Sequence, residues 1–402
     1  MRGTALRLVL LVSCAHAMVH VYELALPSTE QRIADEFQTG TDTMGLLGNC
    51  WRLPFGLGAL LAGWLADRYG SKPLLVTYLI GCATTALLAW AAPDLPLLFV
   101  AMIGMGSAAS IYHPAGLAII SKTAPRDSLP LALGIHGVFG SVGIAAAPAV
   151  IALALGWGAT WRECFLLLTV PGVALAMLLM VWLAENHRRP GPAGQQSPTA
   201  IEERPFDWTS FLLLTSAGAL TGFVYAGFLQ FLPRYLAAMT ATAETTTLSD
   251  ELSGTYRASF VLLIGVVGQL LAGWTARTRS LEGFLVFIMA AMVLPLAWMA
   301  SATGVSRVVA AGLASLVIFM HQPIYNSLVA HYVPHDRRSL GYGFSNVLTF
   351  GFGSFGAGYA GVVLERHGEM ATYMGLALFS ALATGLVIVV WQRADGIRHR
   401  AA

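Results

Sequence analysis

Twelve apolar runs, each about as long as a membrane-spanning helix, make up most of the 402-residue chain. A helix needs roughly 20 predominantly apolar residues to cross a bilayer. Only 11% of the residues are charged, which is too few to cover the surface of a soluble domain. The sequence therefore predicts an all-α integral membrane protein with twelve transmembrane helices. We place the runs at residues 6–27, 43–66, 73–92, 96–121, 129–155, 161–184, 209–236, 253–276, 281–302, 307–332, 338–363 and 370–391.

One long polar stretch divides the twelve runs into two sets of six. It covers residues 185–208 and reads ENHRRPGPAGQQSPTAIEERPFDW. Proline, glycine, glutamine and charged residues in such a mixture are typical of a flexible linker. We therefore predict an N-terminal six-helix bundle over residues 1–184, a cytoplasmic linker over 185–208 and a C-terminal six-helix bundle over 209–402.

The basic residues are distributed unevenly between the two sides of such a protein. If the N terminus lies inside, most of the 23 lysine and arginine residues fall in cytoplasmic segments, among them Arg68, Lys72 and Arg189. Basic loops are typically retained on the cytoplasmic side of a membrane. The charge distribution predicts a multi-pass protein of the inner (plasma) membrane with both termini in the cytoplasm.

The two halves of the chain repeat one another at a separation of about 209 residues. Pro114 corresponds to Pro323, and Gly134 corresponds to Gly343. Two similar bundles around a central pathway can rock against each other and so open the pathway to one side at a time. The repeat therefore predicts pseudo-symmetry between the bundles and alternating access.

The segment between the second and third runs, residues 63–72, reads GWLADRYGSK. Its glycines allow close backbone approach, and its aspartate can face a helix N terminus. The segment resembles the signature of the major facilitator superfamily, and the resemblance extends over essentially the whole chain. It implies two pseudo-symmetric six-helix bundles, transport activity and a monomer. In that family this loop latches the two halves together on the cytoplasmic side. The residues that the resemblance assigns to this latch are Gly63, Asp67, Arg68, Gly70 and Lys72.

Spans four and five carry a narrower resemblance. The segments IYHPAG at residues 111–116 and LGIHGVFG at residues 133–140 resemble the fosmidomycin-resistance branch of that superfamily, which consists of efflux proteins. Drug/proton antiporters of the superfamily carry an arginine in the fourth span. The candidate positions here hold Val100 and Met102, so the usual proton relay of those antiporters is not expected.

Ionisable residues inside the apolar runs are candidates for function, because a charged group in the bilayer is costly. His16, His20 and Glu23 share one stripe of the first span by helical spacing. Arg52 lies at a depth similar to that of His20, so we expect it to contact Glu23 or His20. Because histidine titrates near neutrality, we predict that these four residues couple proton movement to transport.

A structural salt bridge, with histidines bonded to backbone carbonyls, is one alternative to this role of the four residues. Coordination of a transition metal is another, although we predict no metal site.

The family resemblance implies that spans one, four, seven and ten line the substrate cavity. Aromatic walls with few polar anchors suit an amphiphilic organic solute. Ordinary helix packing is the alternative for the aromatic residues, snorkelling is the alternative for Arg234, and His136 is expected to be a buried, hydrogen-bonded imidazole. The predicted substrate-binding residues are His113, Tyr225, Gln230, Arg234, His321, Gln322, Tyr325 and Asn326.

The sequence carries no phosphate-binding loop, nucleophile elbow or metalloprotease motif, so we expect neither enzymatic activity nor a cofactor. We predict a secondary active transporter that exports a small organic solute in exchange for protons. Uptake or uniport of an organic anion or a transition-metal ion remains open, as does a sensor or assembly protein that moves no solute. The expected partners are the substrate, protons and lipid. The net charge of +2 argues against a nucleic-acid partner.

Overall fold

The computed structural model describes residues 3–125, 128–182, 207–239, 247–275, 280–334 and 338–401. Helices fill nearly all of these ranges, and no β-strand occurs within them. The eleventh span also contains a π-helical segment (Val347–Gly351) and a 3₁₀ turn (Phe352–Ser354). The α-helices are α1 (Gly3–Phe37), α2 (Thr41–Tyr69), α3 (Ser71–Trp90), α4 (Leu95–Ala109), α5 (Tyr112–Thr123), α6 (Leu129–Gly156), α7 (Trp161–Trp182), α8 (Trp208–Gln230), α9 (Leu232–Ala237), α10 (Leu248–Thr275), α11 (Leu281–Met299), α12 (Val305–Tyr332), α13 (Arg338–Asn346) and α14 (Phe355–Ala401).

Ten continuous helical stretches in the described ranges are long and apolar enough to cross a membrane. One of them runs from Gly341 to Gly396 and contains Gly368 with a non-helical φ of 75°, so it comprises two spans. Helix α2 is 29 residues long and supplies the remaining span, although Asn49 and Arg52 lower its mean hydropathy. The prediction of an all-α protein with twelve spans is confirmed.

Three of the spans are interrupted. The fourth span breaks at Ser110, four residues before Pro114, and the seventh breaks at Phe231, just before Pro233. A proline ring clashes with the carbonyl four residues earlier and offers no N–H. The eleventh span passes through the π-helical segment Val347–Gly351, and such segments are frequent at functional sites.

We name the two ends of the molecule by the orientation predicted from charge. The outer end carries the connection between α1 and α2 at residues 38–40, and the inner end carries Gly70 between α2 and α3. Gly70 has a φ of 89°, a conformation that a residue with a side chain rarely adopts. The turn of the signature segment therefore requires this glycine.

Buried apolar side chains form one core mainly within α1–α7 and two others mainly within α8–α14. In the first bundle, tyrosines from neighbouring helices hold α1 in place. Tyr78 donates to the carbonyl of Ala15 at 2.9 Å, and Tyr112 donates to the carbonyl of Val12 at 2.7 Å. Residues 183–206 lie outside the described ranges, so the linker and the domain boundaries stay predictions.

Small residues allow the two bundles to approach closely. Gly45 of α2 lies against α14, where an added Cβ would be 2.5 Å from the carbonyl oxygen of Ala357 and 3.1 Å from Cα of Gly361. A larger side chain at Gly45 would push these helices apart. The close approach brings polar residues of one bundle within hydrogen-bonding distance of the other.

Candidate transport site

Four histidines meet where α1, α5 and α6 face one another in the N-terminal bundle. The ring of His16 stacks on that of His136 with 4.1 Å between centroids and meets the ring of His113 edge-on at 5.1 Å. His20 lies 5.1 Å from His16 and 6.0 Å from His113, and Tyr112 stacks on His16 at 5.2 Å. We call His16, His20, His113 and His136 the histidine cluster.

Helix spacing and one glycine produce this arrangement. His16 and His20 lie one turn apart on α1, so their rings point in the same direction. His16 is only 8% exposed, and its Nδ1 donates to the carbonyl of His136 at 2.8 Å. An added Cβ on Gly140 would be 2.6 Å from that Nδ1. The absence of a side chain at Gly140 therefore makes room for the His16 ring.

A series of polar contacts leads from the histidine cluster to the C-terminal bundle. His20 Nδ1 donates to Glu23 Oε2 at 2.9 Å, and Glu23 Oε1 lies 3.5 Å from Arg52 Nε. Arg52 Nη1 donates to Gln230 Oε1 at 3.0 Å, and Gln230 donates to the carbonyl of Met44 at 3.2 Å. We call His20, Glu23, Arg52 and Gln230 the polar chain, and it connects α1 and α2 to α8.

The polar chain is buried and contains one carboxylate and one guanidinium. Glu23 is 7% exposed, Arg52 is 5% exposed and Gln230 is inaccessible to solvent. Arg52 Nη2 has no hydrogen-bond partner among the described residues. A buried charged donor without an acceptor is costly, so Arg52 can bind an additional acceptor such as a substrate oxygen or a water molecule.

Of the two expected partners of Arg52, the structure shows Glu23 in contact with it. Glu23 also lies farther from the end of its helix than the sequence predicted. The first run was predicted to end at residue 27, but α1 continues to Phe37. Ser28 and Thr29 allow this extension because their hydroxyls donate to the carbonyls of Leu24 and Ala25, at 2.7 Å and 2.8 Å. Polar side chains that bond back to their own helix do not end it.

The corresponding residues of the C-terminal bundle form an uncharged group. The ring of His321 stacks on that of Tyr325 with 5.0 Å between centroids, and the Tyr325 hydroxyl lies 2.6 Å from Ser345 Oγ. Thr349 donates to the same hydroxyl at 3.4 Å. His321 Nε2 is buried and has no partner in the described part of the chain, so it can also bond to a ligand.

The structure places the other three predicted substrate-binding residues at separate positions. Tyr225 is partly buried, with its ring 6.1 Å from that of Phe319. Asn326 is partly buried, and its backbone carbonyl accepts from the Tyr342 hydroxyl at 3.1 Å. Gln322 is exposed, so its side chain lies on a different face of α12 from the buried His321.

Arg234 pairs with Glu30 at the outer end instead of joining the polar chain. Its Nε and Nη2 lie 2.7 Å and 2.8 Å from the two carboxylate oxygens of Glu30. Glu30 is 1% exposed. Glu23 is the only acid in the first predicted run, residues 6–27, and the extension of α1 to Phe37 adds Glu30 to the same helix. Two parallel charge-assisted hydrogen bonds make this one of the stronger ion-pair geometries.

Two more polar contacts join the bundles at the outer end. Arg32 of α1 pairs with Glu251 of α10 at 2.5 Å. The hydroxyl of Thr41 donates to Glu365 Oε2 at 2.9 Å, and its backbone N–H donates to the same oxygen at 2.8 Å. We define the outer gate as the three pairs Glu30–Arg234, Arg32–Glu251 and Thr41–Glu365.

Comparison with known families agrees with this architecture. The family model described as Major Facilitator Superfamily matches residues 9–358, a stretch that contains both the histidine cluster and the polar chain. The chain belongs to the major facilitator superfamily. The expected family and fold are therefore confirmed, and the similar proteins are described as transporters and not as enzymes.

Two relatives within the superfamily match parts of the chain. The "Probable sulfoacetate transporter SauU" of Cupriavidus necator is 28% identical over 158 residues, 38% of this chain and 36% of that protein. The "Puromycin resistance protein pur8" of Streptomyces alboniger is 32% identical over 179 residues, 43% of this chain and 33% of that protein. Each match thus covers only about a third of the relative. One relative is described as an organic-acid transporter and the other as a drug-resistance protein, so the efflux branch stays a prediction.

A solved superfamily structure matches the whole chain. It is a bacterial homologue of the human lysosomal transporter Spinster, in an inward-facing and occupied conformation. The TM-score is 0.74, the sequence identity is 15%, and the match covers 98% of both chains. At this identity the likeness shows the shared fold alone.

The superfamily's signature loop packs within the N-terminal bundle. The guanidinium of Arg68 lies over the rings of Trp64 and Tyr69, at 5.5 Å and 5.7 Å. Lys72 donates to the carbonyl of Met180 at 2.9 Å, and Asp67 is exposed. Within the described ranges, none of these three charged residues forms an ion pair with the C-terminal bundle. Their predicted role as a latch between the bundles, together with Gly63 and Gly70, stays a prediction.

The sequence analysis did not assign His136 or Tyr112 to the site. A count of residues from the inner ends of the spans places His16, His113 and His136 at similar depths. Depth alone does not establish which helix faces meet, and only the packing of α1 against α5 and α6 brings the three rings together.

Proposed function

We propose that the protein is a secondary active transporter of the inner (plasma) membrane that exports a small organic compound in exchange for protons. Both termini lie in the cytoplasm, and a single chain is the working unit because it supplies both bundles that enclose the pathway. The observation that carries this proposal is the polar chain, in which the carboxylate of Glu23 is connected through Arg52 to Gln230 of the opposite bundle.

The outer gate supports an inward-facing state. All ion pairs that join the two bundles within the described ranges lie at the outer end. Such pairs hold that end shut, and a substrate then enters from the cytoplasm. For outward release, the pairs of the outer gate must separate while the inner ends approach each other.

Protonation of Glu23 is the proposed trigger. Two opposite charges about 4 Å apart interact by about 4 kcal/mol at an effective dielectric constant of about 20. A shift from a 1:99 to a 99:1 mixture of two states requires about 5.5 kcal/mol. An interaction of about 4 kcal/mol is smaller than that, but when it differs between the two states it changes their ratio by several hundredfold. Neutralising Glu23 therefore shifts the balance of the two conformations without reversing it completely. Arg52, released from Glu23, is then free to change its contact with Gln230.

The histidine cluster supplies a proton route to Glu23. His20 is bonded directly to the carboxylate, and His16 and His113 lie next to it towards the inner end. A neutral imidazole accepts a proton at one ring nitrogen and donates one from the other, so neighbouring rings can relay protons. In this proposal, His20 passes a proton to or from Glu23, and the neighbouring rings connect His20 to the cavity.

The C-terminal bundle supplies the substrate wall. His321 and Tyr325 present aromatic surface, and His321 Nε2 is a free hydrogen-bonding atom within the described part of the chain. Arg52 Nη2 is a second free group, located across the bundle interface. Aromatic surface with a few placed polar atoms suits an amphiphilic organic solute.

The test is flux through the full chain in proteoliposomes that contain the pH-sensitive dye pyranine. We expect the wild type to move protons when a transported compound is added from a panel that includes puromycin and sulfoacetate. Glu23→Gln keeps a polar side chain of the same size but cannot release a proton, so coupled flux should fall at least a hundredfold. Glu163→Gln, at an exposed position, is the matched control and should behave as the wild type. Wild-type flux that is indifferent to an imposed pH gradient would rule out proton coupling.

Uptake or uniport of an organic anion is the second candidate, and the buried guanidinium of Arg52 favours it. Its Nη2 has no partner among the described residues and is available for a carboxylate or sulfonate oxygen. In that case, the substrate gradient or the membrane potential drives flux, and the pH gradient does not. A sensor or assembly protein would give no flux with any compound of the panel.

A further inference from the structure

We propose that His16, His20 and His113 form a binding site for a divalent transition metal such as Zn²⁺ or Co²⁺ in the N-terminal bundle. One ligand atom from each of these residues lies within 4.8 Å of those of the other two. Metal–imidazole bonds are about 2.0–2.1 Å long, so ligand nitrogens around one ion are roughly 3.4 Å apart. Coordination of one ion therefore requires these ligand atoms to move closer together by up to about 1.4 Å.

Hydrogen bonds already orient two of the three ligands. His16 Nδ1 is bonded to the carbonyl of His136 at 2.8 Å, and a carbonyl can only accept, so Nδ1 carries the proton. His20 Nδ1 is bonded to the carboxylate of Glu23 at 2.9 Å. In both rings Nε2 therefore keeps its lone pair. Histidines that bind metals typically donate their other ring N–H to a carbonyl or a carboxylate in this way.

No hydrogen bond among the described residues sets which ring nitrogen of the third ligand, His113, carries the proton. His113 is only partly buried, and within the described ranges it makes no hydrogen bond. Either of its ring nitrogens is therefore available. Its position is fixed by the start of α5 and by its packing between His16 and Phe55, whose rings lie 5.1 Å and 5.8 Å away.

The chemistry of the site selects the metal class. Three neutral imidazoles suit Zn²⁺, Co²⁺, Ni²⁺ or Cu²⁺, whereas Mg²⁺ and Ca²⁺ prefer oxygen ligands. Three protein ligands leave a fourth position for water or solute, as in open zinc sites. The sequence analysis predicted no metal site because no further carboxylate or cysteine neighbour of the His16, His20 and Glu23 stripe was visible. The fold adds His113 as the third imidazole.

A bound ion would have a consequence for the proposed transport. An imidazole that coordinates a metal cannot also take up a proton, so the ion competes with protons at His20. This consequence rests on the proposed function, whereas metal binding itself does not. The ion would therefore inhibit proton-coupled flux from the side to which the cavity is open.

The test is visible absorption of Co²⁺ titrated into the tag-free full chain in detergent. Four-coordinate Co²⁺ with imidazole ligands absorbs far more strongly in the visible range than hydrated Co²⁺. We expect one such ion per chain, displaced by Zn²⁺. His113→Gln and His20→Gln each remove one ligand and should weaken Co²⁺ binding at least tenfold. His321→Gln, a buried histidine of the other bundle, is the matched control and should bind as the wild type.

Two results would overturn the proposal. One is the absence of these absorption bands in the wild type. The other is unchanged binding in both His113→Gln and His20→Gln when each elutes as a monodisperse protein with a wild-type unfolding temperature. Glu23→Gln separates this proposal from proton coupling, because the amide oxygen still accepts from His20. This variant should lose coupled flux and keep Co²⁺ binding.

Discussion

The two bundles share a helix arrangement but differ in the chemistry of their inward-facing residues. The N-terminal bundle carries the histidine cluster and the ion pair of Glu23 with Arg52. The C-terminal bundle carries His321 stacked on Tyr325, with no charged residue in that group. The repeat aligns His113 with Gln322, each directly before a proline. Both halves thus have the proline, but only the N-terminal half has an ionisable side chain, that of His113, directly before it.

This difference indicates a division of labour. Pseudo-symmetric helices are needed for two bundles to rock about a central pathway, so the backbone features recur. A proton needs only one titratable site, and a second buried carboxylate would add a desolvation cost without a partner. The comparison predicts that substitutions of charged residues in the N-terminal bundle strongly change stability and the conformational balance. Substitutions in the C-terminal bundle should change mainly the affinity for the substrate, and by less.

The largest expected effect is on stability, from Arg52→Met. Removing the guanidinium leaves the carboxylate of Glu23 buried without its cation, which costs about 3–5 kcal/mol of unfolding free energy. Thermal unfolding in detergent measures the loss. The double variant Arg52→Met/Glu23→Gln should recover most of it, because neither charge remains. Equal destabilisation of the single and the double variant would contradict the buried ion pair.

Glu30→Gln should shift the conformational equilibrium at the outer gate. The change removes a charge-assisted pair with Arg234, worth about 1.5–3 kcal/mol, so the outward-open population should rise. Spin labels at Asp35 and Arg366, exposed outer-end positions of the two bundles, report the separation of the outer ends. We expect a longer-distance population in the variant. A distance distribution identical to that of the wild type would show that the gate pair does not hold the bundles together.

Tyr325→Phe sharpens the comparison from the C-terminal side. The variant keeps the stacked ring but loses the hydrogen bond of the Tyr325 hydroxyl to Ser345. The ring is then held in its position in the substrate wall by about 1 kcal/mol less. We expect KM for the transported compound to rise about fivefold, while the pH dependence of flux stays that of the wild type. A shifted pH profile would mean that the C-terminal group takes part in coupling.

The smallest expected effect is that of Asp67→Asn in the signature loop. Asp67 is exposed, and exposed charge pairs contribute about 0.2–1 kcal/mol. The variant should change the balance of inward- and outward-facing states without changing substrate affinity. Spin labels at the inner ends of α2 and α13 would measure the balance, and ligand titration would measure the affinity. A change in affinity with an unchanged balance would argue against a latch.

Much of the site could be predicted from local spacing. The separations between His16, His20 and Glu23 place them on one stripe of a helix. The depth of Arg52 predicted a contact with Glu23 or His20, and the structure contains the contact with Glu23. The ion pair of Arg234 with Glu30 could not be predicted from such spacing. Glu30 lies 204 residues earlier in the chain than Arg234, on a part of α1 that lies beyond residue 27, where the sequence analysis ended the first span.

The sequence by itself determined the twelve spans, the internal repeat and the family, because the length and polarity of a helix in lipid depend on neighbouring residues alone. Tertiary structure decided which faces of these helices meet. It brought His136 against His16 across 120 residues and joined Arg52 to Gln230 across 178 residues. Such contacts depend on the tilt and rotation of each helix. Packing sets these angles, for example through the close contact of Gly140 with His16, and the periodicity within one helix does not encode them.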